Sequence, residues 1–77
     1  MSIDKKIFNY RGYIIISQPM FYPDLDVYGA QGKIENIAAT GGGLHLIFQA
    51  VCFCKTVDEA HKEFFEFAKN YINNNFP

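Results

Sequence analysis

The chain has no tryptophan, three prolines, two cysteines and a single arginine, Arg11. Neither sign of charge dominates. Seven Lys and Arg stand against eight Asp and Glu, a net charge of −1, so a strong electrostatic pull toward nucleic acid or an anionic membrane is not expected. No apolar run approaches the length of a membrane span. Residues 1–6 (MSIDKK) are polar and read as a short lead-in, not as a signal peptide. Two cysteines without such a signal are expected to be reduced thiols in a cytoplasmic protein. Seventy-seven residues leave no room for two cores, so 1–77 is expected to be one domain.

What is abundant is apolar and aromatic mass. Eight Phe and five Tyr sit in a chain that is 49% hydrophobic, which argues against disorder. The clearest element is residues 56–75, TVDEAHKEFFEFAKNYINNN. Thr56 and Glu59 fit a capping box, and Asp58 and Glu59 place negative charge at the positive end of a helix dipole. At about 100° per residue, Val57, Ala60, Phe64, Phe65, Phe67, Ala68, Tyr71 and Ile72 share one arc, with charged residues opposite. Asp58 and Lys62 are spaced as an i, i+4 pair. His61 is the one polar residue inside the apolar arc, where its ring can pack and send a nitrogen to a carbonyl or to water.

Upstream, the pattern predicts strands. Residues 7–10 begin one, Arg11-Gly12 interrupts it as a bulge or tight bend, and 13–17 (YIIIS) carry the strongest β signal. Met20, Phe21 and Tyr22 read as an oily loop between Pro19 and Pro23. Residues 25–31, continuing through 33–35, form a second strand, and 44–53 a third, with Gly41, Gly42 and Gly43 as the turn between them. The expected fold class is α+β, a three-stranded antiparallel sheet with one C-terminal helix on one face (β-β-β-α).

Both faces of these strands carry apolar residues, and one helix covers only one face. Leu44, Leu46, Phe48, Ala50, Cys52 and Cys54 make the better helix-facing set on the third strand. The uncovered set includes Ile14, Ile16, Ile47 and Val51, and together with Met20, Phe21 and Tyr22 it forms the expected interaction surface. A second copy of the chain is the simplest cover, so a homodimeric protein-interaction or accessory module is expected. A protein partner of another kind and a small ligand held between subunits are the other occupants. Phe21→Ala is expected to weaken an assembly while leaving the fold intact.

Other chemistries have weaker support. Cys52-x-Cys54 with His45 and His61 is the only set of soft ligands, but its spacing is not that of a zinc site, and alternation puts His45 opposite the cysteines. A Cys52–Cys54 disulfide closes a very small ring. The glycine triplet lacks the Gly-Lys-Ser/Thr and helix start of a phosphate loop. Asp24 and Asp26 are too few for a calcium loop. No nucleophile with base and orienting group stands out, so no catalytic residue, cofactor or metal is expected.

The pattern Phe8-x-Tyr10-Arg11-Gly12-Tyr13-x-Ile15, then Phe48, Phe53 and Thr56-x-x-Glu59-Ala60, resembles small bacterial single-domain β-β-β-α proteins of uncharacterised function. That resemblance implies a fold and no activity. The element order is also similar to the later part of the double-stranded RNA-binding domain, which makes RNA binding the alternative. The preceding helix of that domain and its lysine-rich start to the last helix are missing, since this helix begins Asp58-Glu59.

Overall fold

The computed structural model describes residues 3–36 and 45–76. The Gly41–Gly43 turn and Leu44 lie outside them. The architecture is α+β, with antiparallel sheets and one C-terminal helix, α1 (Val57–Asn75). The three-stranded sheet is corrected to seven strands in two sheets among the described residues. These are β1 (Lys6–Tyr10), β2 (Tyr13–Ser17), β3 (Met20–Tyr22), β4 (Val27–Gly29), β5 (Gly32–Asn36), β6 (His45–Phe48) and β7 (Phe53–Cys54). One sheet has the order β1-β2-β5-β6, the other β3-β4-β7.

Three local causes explain the difference. First, Arg11 and Gly12 reverse the chain instead of bulging it. Both have positive φ, 51° and 82°, and the two-residue loop places Tyr10 opposite Tyr13. Two consecutive positive φ values are what a two-residue hairpin matching strand twist requires. Secondly, Met20, Phe21 and Tyr22 are a strand and not a loop, because they pair with Gly29, Tyr28 and Val27. The loop proper is 23–26, with Asp26 at φ 55°. Thirdly, the long strands bend. Ser17↔Gly32 and Met20↔Gly29 keep one register across the gap, bridged by the Gln18 N–H to Gln31 carbonyl bond of 2.8 Å. By alternation Pro19 then falls at a position whose N–H would face away from Ala30, so its missing donor costs the ladder nothing. Between Phe48 and Phe53 the partner strand holds two extra residues, and Ala30 bonds both Val51 and Cys52. This bulge breaks β6 from β7.

The core lies between the sheets and α1. Ile15, Ala30, Ile34, Ala60, Phe64, Ala68 and Ile72 are fully buried. Burial of each large side chain contributes about 1.5–3 kcal/mol. On the helix-facing side, Phe8 meets Phe65 with ring centroids 4.4 Å apart, and Phe48 is ringed by Phe64, Phe67 and Tyr71. Gly32 sits between Ser17 and Phe48 in register. A Cβ there would strike the Ile16 carbonyl oxygen and come within 2.8 Å of the Phe64 ring, so only glycine admits Phe64.

Half of the expected capping box forms, and among the described residues the return bond from the Glu59 carboxylate to the Thr56 N–H is absent. The Thr56 hydroxyl accepts from the Glu59 N–H at 3.1 Å. The expected Asp58–Lys62 pair does not form. Among the described residues the ion pair on the helix is Lys69–Glu66, at 3.5 Å. The other end is tied to the β1–β2 hairpin, where Tyr10 and Arg11 both donate to Asn73 Oδ1, at 3.0 and 2.7 Å. Among the described residues no helix is long and apolar enough to cross a membrane.

Candidate functional site: an uncovered sheet face and a buried Ser–His pair

The register sorts the outer face of the four-stranded sheet into two rows. One row is Ile7, Ile16, Lys33 and Ile47; the other is Asn9, Ile14, Glu35 and His45. The helix covers the opposite face, so these side chains face away from the core. Ile7 is 58% and Ile47 69% exposed. Glu35 and His45, neighbours in register, approach to 3.7 Å. Since one register runs through Pro19, Met20 and Tyr22 continue the same face, where Tyr22 meets Phe53 edge-on at 5.2 Å. Met20 and Phe53 are about half exposed. A groove of about 610 Å³ crosses the bend beside Gln18, Met20, Gln31, Lys33 and Ile47.

Of the residues expected to interact, the structure therefore brings Ile14, Ile16, Ile47, Met20 and Tyr22 together. Val51 lies in the bulge, where strict alternation is lost, and is 36% exposed. Phe21 is separated from the rest. It pairs with Tyr28, which in turn pairs with buried Cys54, so it points to the helix side, and its ring lies 5.1 Å from that of Tyr28. Phe53 joins the face, as the alternation of the third strand places it, and so does Ile7, which the strand pattern does not single out. Ile7 is missed because the hairpin at Arg11-Gly12 is missed, although Gly12 after a polar residue is the local signal for it.

On the helix side, Ile3, Phe21, Tyr28 and Val57 wall a cavity of about 560 Å³, which Asp4, Lys6, Asp58 and His61 complete. His61 is buried, and its Nδ1 lies 2.8 Å from the Ser17 Oγ. Beside a carbonyl partner of the expected kind, the Asp4 backbone, the ring gains a serine 44 residues away. Burial lowers the His61 pKa from its ordinary 6.5, and the Lys6 charge adds to that. A hydrogen bond to the Asp4 backbone and the Asp58 carboxylate pull the other way. The pair does not have the form of a nucleophile with its base, because Ser17 is 0% exposed and no substrate atom can reach its hydroxyl. It is a polar clasp inside an apolar core.

The basic residues do not share a face. Arg11 is held at the helix end and Lys33 stands amid the isoleucines. Among the described residues no three His, Cys, Asp or Glu side chains gather as metal ligands. The fold and face define a small α+β protein with one sheet surface left open. Comparison with known protein families, with curated proteins and with solved structures gives no match.

Proposed function

We infer that this protein is a homodimeric protein-interaction module that self-associates through the outer sheet face. The observation that carries the reading is the row Ile7, Ile16, Lys33, Ile47, continued by Met20 and Phe53, on a face that nothing in the described chain covers. Contiguous exposed apolar surface of this kind marks a contact.

The charges on the face favour a second copy as the occupant. Lys33 and Glu35 are two residues apart and project from the same side of β5. A two-fold axis lying in the interface and crossing β5 at Ile34 sets each Lys33 against Glu35 of the second copy. The same axis sets Ile16 against Ile14. The centre of the surface is thus complementary to itself, and the same axis sets Ile7 against Asn9 and Ile47 against His45 at its edges.

The test is molar mass by light scattering over a concentration series. The wild-type chain is expected to be a dimer, Lys33→Glu a monomer, and the double exchange Lys33→Glu with Glu35→Lys a dimer again. A wild-type chain that stays monomeric at the highest concentration sinks the reading. A double exchange that fails to restore the dimer sinks the geometry.

A further inference from the structure

Cys52 and Cys54 are free thiols two residues apart, with their sulfurs 3.9 Å from one another. Cys54 is 7% exposed and packs in the core against α1, whereas Cys52 is half-buried and gives the pair a way out to solvent. Cys54 lies on β7 and Cys52 in the bulge just before it, and among the described residues β7 is the last strand of its sheet, paired with β4. Burial pushes the Cys54 thiol up to about 11, helped by its hydrogen bond to Cys52, the charge on Cys52, and the Glu63 and Glu59 carboxylates. The pair is therefore not an activated nucleophile.

It is a preformed chelate. Two sulfurs 3.9 Å apart are within reach of one ion at a metal–sulfur distance of about 2.3 Å, at a bent angle of about 115°, and side-chain rotation that parts them by a few tenths of an ångström opens that angle toward the linear geometry of a two-coordinate ion. Zinc requires three or four protein ligands, and no third is gathered among the described residues. Thiolate softness and a coordination number of two select a soft monovalent ion. We propose that Cys52 and Cys54 form a two-thiolate site for such an ion, with copper(I) as its representative. On binding, both S–H bonds break and two metal–sulfur bonds form. Two protons leave, no electron moves, and the two thiolates with one monovalent cation carry a net charge of −1.

The experiment is an anaerobic titration of the reduced full chain with copper(I), against a chromophoric copper(I) chelator in weak buffer. Expected are one ion per chain, two protons released per ion, and no displacement by a tenfold excess of zinc. Cys52→Ser is expected to lose about 10²–10⁴-fold in affinity, the gain that the second arm of a chelate supplies. Its half-buried position leaves the circular dichroism spectrum unchanged, so it decides the matter even where Cys54→Ser does not fold. One proton per ion, displacement by zinc, an ion shared between two chains, or wild-type affinity in Cys52→Ser overturns the assignment.

Discussion

Both faces of the four-stranded sheet carry isoleucine, the outer face more of it than the inner, and they differ in what lies over them. The inner face places Ile15 and Ile34 under α1, both fully buried, with Gly32 shaped to admit Phe64. The outer face places Ile7, Ile14, Ile16 and Ile47 around Lys33 and Glu35, with no element of the described residues packed over them; Ile7 and Ile47 are exposed and Ile14 and Ile16 half-buried. Side-chain chemistry alone therefore does not say which face is core. The helix decides it, because its one apolar arc fits the face with the gap at Gly32.

The largest effect that separates the faces is expected from Phe64→Ala. It should cost about 3–5 kcal/mol, enough to unfold a domain this small, as read from urea denaturation. Gly32→Ala comes next, at about 1–3 kcal/mol, because the added methyl meets backbone on one side and the Phe64 ring on the other. A thermal melt equal to wild type would mean that the helix does not sit against Gly32.

Thr56→Ala removes the hydroxyl that caps Glu59 N–H, at about 1 kcal/mol, and thins the inner side without touching the outer. Ile47→Ser is the smallest. On the outer face it should change monomer stability by no more than about 0.5 kcal/mol while weakening self-association in sedimentation.

The buried clasp adds a pH arm to the same contrast. The folded-state pKa of His61 is below its ordinary 6.5, so the unfolded chain binds the proton more readily. Its contribution is fully present above pH 6.5 and is lost as pH falls from there through the folded value. Denaturant midpoints between pH 7.5 and 5 should fall for the wild type and fall less for His61→Gln. Parallel curves for the two chains would mean that His61 is not buried neutral.

Much of this was legible in the residues. The helix was, because its cap and its 3.6-residue arc are local and agree with each other. So was the parity of the third strand, whose helix-facing members include half-buried Phe48 and buried Cys54. The Arg11-Gly12 hairpin was half legible, since the turn residues are there but a bend and a reversal use the same glycine. Met20, Phe21 and Tyr22 were not, because two flanking prolines look like a loop until the register shows Pro19 turned away from Ala30.

The sequence by itself determined the α+β class, the helix with its Thr56 cap, and an excess of apolar surface over what one helix can cover. These rest on spacing and composition, which act within a few residues. Only the tertiary structure decided that Phe21 parts from Met20 and Tyr22, that His61 bonds Ser17, and that the open isoleucines gather around Lys33 and Glu35. Each of those depends on a partner brought in from another strand, and strand pairing is fixed by register across the whole sheet.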